Sequence, residues 1–335
     1  MTGTLSSQPE RPQLMIWPDY EKEVCKGIIR KELKSWKAFA DFVADPKQTW
    51  DTFIYRGQAN ANWPVTSTLD RLEERFSTTP NLEKNDWTYY KCPRVNRELQ
   101  LDRFKAMALG RLSSHVPDNE HDEWWALAQH HGMATPMLDW TYSPFVALYF
   151  AFQAEECDCQ GSRGKPDSRA VFALVHTSIP QRQVDQSHPH VLAPRWSGNY
   201  RVSSQAGLFL RMPDPQYRKG TKEPNDLESY IKREFASETY LTPIGSTGNL
   251  HPQLALVKFT IPDKDYDRFE CLRYLDHMNI NRASLFPDLD GTAQYINDLW
   301  EVNWGKALGY INDPGCHRSL SDRDSPTPDP TSQAV

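Results

Sequence analysis

The stretch from His130 to Phe152 constrains the fold of this chain most, and it runs HHGMATPMLDWTYSPFVALYFAF. The segment Leu138–Thr141 predicts a short strand end or turn. Ser143 and Pro144 then predict the N-cap and first turn of a helix, where the missing amide proton of proline costs nothing. The residues from Val146 onward are almost continuously apolar, which is typical of a buried helix. Polar groups gathered at the positive end of such a helix favour the binding of anions, phosphates included.

The composition indicates a folded protein that stays in the cytoplasm. Apolar residues make up 39% and aromatic residues 12% of the 335 residues, enough for a sizeable core. The net charge of −6 argues against a general nucleic-acid-binding or membrane-surface protein. The N-terminal sequence lacks an apolar signal core, no apolar run is long enough to cross a membrane, and the six cysteines are scattered. We therefore expect a cytoplasmic protein with no membrane partner.

Helix and strand patterns mix along the chain without a regular alternation of one strand and one helix. Helical spacing of apolar residues predicts helices over residues 26–43, 95–110, 120–131, 226–236, 268–278 and 292–300. Apolar runs predict strands over residues 52–55, 170–176, 201–211 and 254–261. Four residues of the helix over 95–110 are expected to face inward: Leu99, Phe104, Met107 and Ala108. This irregular order favours an α+β fold with mixed central sheets flanked by helices.

The ends of the chain differ in composition from its middle. Residues 1–20 are polar and contain proline, which predicts a flexible leader. Residues 312–335 are rich in Ser, Pro and Asp, which predicts a disordered tail. Residues 26–304 are expected to form a single domain.

Five short motifs carry polar residues and glycines in a fixed order along the chain. They are Tyr55-Arg56-Gly57-Gln58, Trp63 with Ser67-Thr68-Leu69-Asp70-Arg71, Gln129-His130-His131-Gly132 continuing to Pro144, Gln205-Ala206-Gly207-Leu208-Phe209, and Leu285-Phe286-Pro287-Asp288-Leu289-Asp290-Gly291. Together these motifs resemble the FRG domain family, which is named for a Phe/Tyr-Arg-Gly signature. The resemblance covers roughly residues 26–300 as one domain.

A remoter resemblance is to the ADP-ribosyltransferases. Those enzymes carry an Arg at the end of an early strand, hydroxyl residues before a helix, and a Glu or Gln at the start of a later strand. In this chain Arg56 ends an early predicted strand, and Thr141 and Ser143 precede the apolar helix. Gln205 comes just before the apolar segment at residues 207–210. The resemblance implies an ADP-ribosyltransferase-like fold and NAD as the substrate.

The resemblance also implies which residues hold NAD. Arg56 would pair with a phosphate, since a guanidinium matches phosphate oxygens in charge and geometry. Thr141 and Ser143 would hold the nicotinamide ribose or position nicotinamide. His131 is a further candidate for cofactor binding, although a structural histidine is the alternative for both His130 and His131. No metal is expected.

The catalytic candidates are Arg56, Gln205 and Asp139. Gln205 departs from the Glu that is usual at this position, and a neutral amide orients a ribose 2′-OH or an acceptor but carries no charge. Asp139 is the carboxylate that would stabilise the positive charge developing at the glycosidic carbon. A structural alternative stays open, in which Asp139 builds a turn and pairs with Arg56 as a buried ion pair. Asp288 and Asp290 are interpreted as a turn and a helix N-cap rather than as metal ligands.

The leading hypothesis is therefore an NAD-binding, ADP-ribosyltransferase-like enzyme whose acceptor is a protein or a nucleic acid. The alternative is a non-catalytic module that binds a nucleotide or a protein with the same residues. The family resemblance also permits an effector of bacterial defence or toxin type. The oligomeric state is not indicated by the sequence.

Overall fold

The fold is built around one mixed β-sheet, as seen in a computed structural model of the chain. The structure describes residues 20–45, 53–77, 96–112, 116–153, 167–179, 188–193, 200–215, 225–235, 242–243, 250–251, 254–264 and 267–299. Apart from Tyr20, the predicted leader lies outside these ranges, as does the whole predicted tail.

Seven strands of the described ranges form the main sheet, in the spatial order β1-β9-β4-β2-β3-β6-β5. These strands are β1 Ile28–Glu32, β2 Phe53–Gln58, β3 Met137–Thr141, β4 Ser168–Val175, β5 His190–Leu192, β6 Gly207–Arg211 and β9 Leu256–Pro262. Strand β1 pairs with β9 in parallel, whereas the other neighbouring pairs are antiparallel. Two short strands, β7 Thr242–Pro243 and β8 Leu250–His251, pair separately.

Helices lie on both faces and at one end of this sheet. They are α1 Trp36–Ala44, α2 Thr68–Ser77, α3 Arg97–Ala108, α4 His121–His130, α5 Pro144–Gln153, α6 Tyr200–Ser204, α7 Leu227–Glu234, α8 Asp267–His277 and α9 Arg282–Leu285. A further helical segment, α10, covers residues 289–299. The predicted α+β class, with a mixed sheet flanked by helices, is confirmed.

Helix α5 is the most deeply buried helix that the structure describes, as its apolar sequence predicts. Ser143 caps its first turn by accepting a hydrogen bond from the amide of Val146 at 3.3 Å. The helix then crosses β2 and β4, where Gly57 lets the two backbones approach closely. A Cβ at Gly57 would lie 1.9 Å from the carbonyl oxygen of Ala147 and 2.5 Å from the amide nitrogen of Ala151. No side chain larger than hydrogen fits at this crossing.

The hydrophobic core occupies both faces of the sheet. On one face, Phe53 and Phe259 pack against α1, α5 and α8. On the other face, Ile54 and Phe172 pack against α7, which contributes Leu227. The strand alternation therefore divides the core, since neighbouring residues of β2 serve opposite faces.

A third cluster joins α2, α3 and α4 to the end of the sheet formed by β3 and β6. Leu101 and Trp125 lie at its centre, together with Met137 and Phe209 from the strands. A polar network ties the same helices together. Arg97 donates to Asp70 at 2.6 Å, and both side chains are buried. Ser67 also bonds Asp70, and its hydroxyl accepts the Asp70 amide at 3.1 Å.

The predicted helix over residues 26–43 is wrong in its first half. Lys26 and Gly27 have φ angles of 49° and 77°, and this left-handed turn leads into strand β1. Ser35 caps helix α1 by accepting the amide of Ala38 at 3.2 Å, so the helix begins only at Trp36. The apolar pair at the start of the segment therefore belongs to a strand whose partner, β9, lies far along the sequence.

The predicted strand over residues 201–211 is also wrong in its first half. Residues Tyr200–Ser204 form helix α6, and Ala206, with a φ of 46°, turns the chain into β6. On α3, Leu99 and Met107 were expected to face inward but are 46% and 69% exposed. Leu101 faces the core instead. The buried stripe of α3 is therefore narrower than its apolar composition suggests.

A buried ion pair joins β4 to the end of β9. Arg169 and Asp263 lie 2.8 Å apart, and each side chain is only 1% exposed. Arg169 also donates to the carbonyl oxygen of Ala151 at 2.6 Å, near the end of α5. The pair therefore connects α5 to two strands of the sheet.

We predict that Gly57→Ala destabilises the protein strongly. The new methyl group meets backbone atoms of α5, which cannot rotate away, so we expect a loss of about 2–3 kcal/mol or more in the free energy of unfolding. Urea unfolding measures this loss. Gly110→Ala is the matched control, because a Cβ there meets nothing within 4 Å and only its φ of 77° opposes the change. Equal stability of the two variants would contradict the close approach of β2 and α5.

We predict that Asp263→Ala costs about 3–5 kcal/mol in the free energy of unfolding, because it leaves Arg169 buried without its carboxylate. The double variant Arg169→Met/Asp263→Leu is expected to lose less, because it removes both charges. Glu23→Gln, in the exposed Lys31–Glu23 pair, serves as the control and should change stability little. Chemical denaturation of the wild type and the three variants measures these changes in the free energy of unfolding. If Asp263→Ala were as stable as the double variant, or more stable, the pairing of Arg169 with Asp263 would be contradicted.

Candidate functional site

The site begins where strands β2 and β3 separate. They pair at Tyr55 and Thr141, whereas β2 continues to pair with β4 as far as Gln58. Beyond Tyr55 the guanidinium of Arg56 reaches across the gap and donates from Nη1 to the carbonyl oxygen of Asp139 at 2.8 Å. An arginine side chain thus supplies a donor to β3 where the strand ladder supplies none.

Arg56 is a partly desolvated cation. Burial lowers the pKa of its guanidinium, the charge of Asp139 opposes this shift, and the charge of Arg71 adds to it. The group stays protonated, as arginine does in proteins. Its Nε atom is buried and has no hydrogen-bond partner within the described residues. A buried donor without a partner is rare in folded proteins, and its presence on a charged side chain makes Arg56 a candidate functional residue.

The carboxylate of Asp139 is not hydrogen-bonded to Arg56, although the predicted ion pair would place it there. Its Oδ1 atom accepts instead from Nε2 of Gln129 at 2.6 Å, and Gln129 in turn accepts from the hydroxyl of Thr135. Asp139 is exposed, so its second carboxylate oxygen faces solvent or a ligand. The contact with Gln129 of α4 therefore holds the Asp139 side chain in a fixed direction.

Thr141 and Ser143 form a short hydrogen-bonded chain at the start of α5. The Thr141 hydroxyl donates to the carbonyl oxygen of Gln205 at 2.6 Å and accepts the amide of Ser143 at 3.0 Å. Thr141 lines the cleft described below, whereas Ser143 caps α5 and does not line it. One lone pair of the Thr141 hydroxyl is left for a ligand.

Gln205 lies at the turn between α6 and β6. Its Nε2 atom donates to the carbonyl oxygen of Leu285 at 3.1 Å, which ties this turn to α9. The amide oxygen is the group that the side chain can still offer to a ligand. An acceptor is what a ribose hydroxyl needs, but the amide brings no charge.

A second wall of the cleft contains residues that the sequence does not single out as site residues. Arg201 donates from Nε and Nη2 to one carboxylate oxygen of Asp288, at 3.0 and 2.6 Å. Its guanidinium lies over the ring of Phe286, 5.5 Å from the centroid. Phe286 also meets Phe150 edge to face, with 6.2 Å between ring centroids. His130 lies in the same wall.

Asp288 is the N-cap of α10, as its interpretation as a turn and cap predicts. Its second oxygen accepts the amide of Gly291 at 2.7 Å. This backbone hydrogen bond and the Arg201 side chain hold the pKa of Asp288 below its usual value. The Asp288 carboxylate is therefore charged where it pairs with Arg201, the arginine that lines the cleft.

These residues enclose one cleft of about 370 Å³. It is lined by Arg56, Asp139, Thr141 and Gln205, which the sequence analysis selected, and by Arg201, His130, Gln129, Phe150 and Phe286. Ser143 and His131 do not line it. His131 is exposed, and its ring contacts that of His130 with 5.0 Å between centroids.

One signal in the sequence points toward the residues of the second wall. The motif from Leu285 to Gly291 contains both Phe286 and Asp288, but it has no local feature that identifies the part facing the cleft. The sequence predicts a strand at Arg201, whereas the structure places Arg201 in helix α6 and Gln205 directly after that helix. The backbone amide of Gln205 donates to the carbonyl oxygen of Arg201 at 2.9 Å, so the turn before β6 holds the two residues close together.

The motif from Ser67 to Arg71 lies elsewhere and has structural contacts. The Thr68 hydroxyl and the backbone of Thr135 exchange hydrogen bonds of 3.0 and 3.2 Å. Arg71 donates to the carbonyl oxygen of Thr66 at 2.6 Å. These contacts join α2 to the loop before β3 and so support the strand that carries Asp139.

Two further properties hold for the described ranges. None of their helices combines the length and the apolar character needed to span a membrane. In those same ranges, no cluster of three or more His, Cys, Asp and Glu side chains is arranged to hold a metal ion.

Comparison with known protein families finds one match in this chain. Residues 51–159 match the model of the FRG domain. No curated protein and no solved structure matches the chain. The matched segment contains β2, β3 and α5, and with them Arg56, Asp139 and Thr141, whereas Arg201, Gln205 and Phe286 lie beyond it. The chain therefore contains an FRG domain, and residues of that domain form one side of the cleft.

Proposed function

We propose that the cleft binds NAD and that the protein is an ADP-ribosyltransferase-like enzyme. The observation that carries the proposal is the position of Arg56, a partly desolvated cation at the separation of β2 and β3. Asp139, Thr141 and Gln205 line the same cleft. They supply a carboxylate, a hydroxyl and an amide oxygen, which are the groups that a ribose and its developing positive charge require.

The size and lining of the cleft fit a nucleotide. Its volume of about 370 Å³ lies within the range of about 300–1,000 Å³ that is usual for small-molecule sites. Arg56 is suited to a phosphate, because charge-assisted hydrogen bonds from a guanidinium to phosphate oxygens are strong. Phe150 and Phe286 offer apolar surface to a ring of the ligand.

NAD would supply an ADP-ribosyl group that is activated for transfer. The bond between C1′ of the ribose and the ring nitrogen of nicotinamide breaks, and its electron pair leaves with nicotinamide. A bond forms from C1′ to a nucleophile of the acceptor, which releases one proton. Asp139 would stabilise the positive charge at C1′ through its free oxygen and can accept the released proton. Arg56 would hold the phosphates still during the step.

Thr141 and Gln205 would act as a unit in this proposal. Thr141 fixes the carbonyl group of Gln205, and Gln205 directs its amide oxygen to the ribose 2′-OH. The cofactor-binding roles of Ser143 and His131 stay predictions, since neither residue lines the cleft. The acceptor would be a protein or a nucleic acid, and the net charge of −6 makes a protein the better match.

A non-catalytic binding module is the second candidate, and one observation favours it. Gln205 is neutral, and its amide nitrogen is committed to Leu285, so it orients a ligand without stabilising charge. Such a module would bind a nucleotide or a protein in the same cleft and release no nicotinamide. The two candidates therefore differ in turnover, not in the place of binding.

A role as a toxin or defence effector would follow from transferase activity. Modifying an acceptor or depleting NAD harms the cell in which it occurs. Growth arrest on expression of the wild-type protein, relieved by Arg56→Ala, would support this role. Unaffected growth of cells that contain active protein would argue against it.

We predict that the purified protein releases nicotinamide from NAD and that Arg56→Ala lowers the rate by about 100-fold or more, as loss of a preorganised donor does. Arg56→Lys keeps the positive charge but lacks the planar guanidinium with its several donors. Its rate should therefore lie between those of Arg56→Ala and the wild type. Gln205→Ala should also lower turnover. A thermal melt checks that each variant is folded.

Arg30→Gln is the matched control, because Arg30 is an ion-paired arginine on β1, several strands away from the cleft. Its turnover should equal that of the wild type. Saturable NAD binding without nicotinamide release would support the binding module. Folded Arg56 and Gln205 variants that bind and turn over NAD like the wild type would overturn both candidates for this cleft.

A further inference from the structure

A second arginine, Arg201, lines the cleft. Arg201 belongs to α6, Arg56 belongs to β2, and both line the same cleft. Their guanidinium groups are held in different ways. Arg56 is anchored to a backbone carbonyl group of β3, whereas Arg201 is anchored to the carboxylate of Asp288.

The contacts of Arg201 leave part of its guanidinium free for a ligand. Asp288 takes the Nε and Nη2 donors, and within the described residues Nη1 makes no hydrogen bond. The side chain keeps 32% of its surface exposed. Phe286 supports the guanidinium from below, so its plane is fixed before a ligand arrives. A pre-oriented arginine loses less conformational entropy on binding than a mobile one.

Arg201 is also mechanically linked to the proposed ribose site. The amide of Gln205 donates to the carbonyl oxygen of Arg201 at 2.9 Å, within the last turn of α6. Gln205 bonds Leu285, and Arg201 bonds Asp288 three residues further on. A ligand that contacts both side chains would therefore meet one rigid wall.

We propose that Arg201 is a second phosphate anchor, and that the ligand of this cleft carries two linked phosphates. This inference rests on the proposed nucleotide site and deepens it by assigning a second phosphate-binding residue. A pyrophosphate presents two negative groups, and two guanidinium groups that line one cleft can each bind one of them. A nucleoside monophosphate such as AMP has one phosphate, which can bind Arg56 without Arg201.

The test is the preference for ADP over AMP, measured by calorimetric titration of each nucleotide into the purified full-length protein. Wild type should bind ADP more tightly than AMP. In Arg201→Gln, ADP binding should weaken on the order of 10- to 100-fold, as expected for loss of a hydrogen bond to a charged group, and AMP binding should change far less. Arg201→Lys should fall between wild type and Arg201→Gln.

A purely structural role would weaken both nucleotides equally, because it would disturb the whole wall. Equal weakening, an unchanged ADP affinity in folded Arg201→Gln, or equal affinities in the wild type would each overturn the second anchor. In those cases NAD binding and its loss in Arg56→Ala would still support the proposed function. Failure of NAD, ADP and AMP to bind the wild type would overturn both. Arg30→Gln should match the wild type throughout.

Discussion

The contact between the backbones of β2 and α5 at Gly57 sets the geometry of the rest of the molecule. It brings a fully apolar helix directly onto a central strand, which leaves room for a core on the far side of that helix. Arg56 precedes this glycine in the chain. The same residue pair that closes the helix onto the sheet therefore also brings a cation to the edge where β2 leaves β3.

That cation organises the cleft from its centre. Unpaired backbone groups inside a protein need partners, and Arg56 provides one for β3. The two strands can then stay apart without an energetic penalty from an unmatched carbonyl group. The opening is lined by Asp139 and Thr141 of β3 and by the α6–β6 turn, which the Thr141 hydroxyl contacts through the carbonyl oxygen of Gln205. The interruption of strand pairing between β2 and β3 thus leaves a cleft that a small molecule can enter.

Local sequence signals predicted the elements whose cause is local. The buried character of α5, its cap at Ser143 and the cap at Asp288 all depend on residues within a few positions of one another. The errors arose where a distant partner decides. The segment after Gly27 becomes a strand because β9 is available to pair with it, and apolar spacing alone cannot show that. Likewise, the sequence suggested that Arg56, Asp139, Thr141, Ser143 and Gln205 build one polar cleft, and the structure places all of them except Ser143 around one cleft. It could not suggest Arg201, since that depends on how the chain turns at Ala206.

The division of the cleft between distant parts of the chain has a consequence for its inheritance. The segment that matches the FRG domain holds β2 and β3, but their outer neighbours, β4 and β6, come later in the sequence. Of the strands that the structure describes, the segment alone would keep these two, which pair at Tyr55 and Thr141. A gene fusion that transferred the matched segment alone would therefore not transfer the cleft. In any relative that uses this cleft, the later strands and the wall of α6 and α9 would have to travel with it, even where their sequences have diverged beyond recognition.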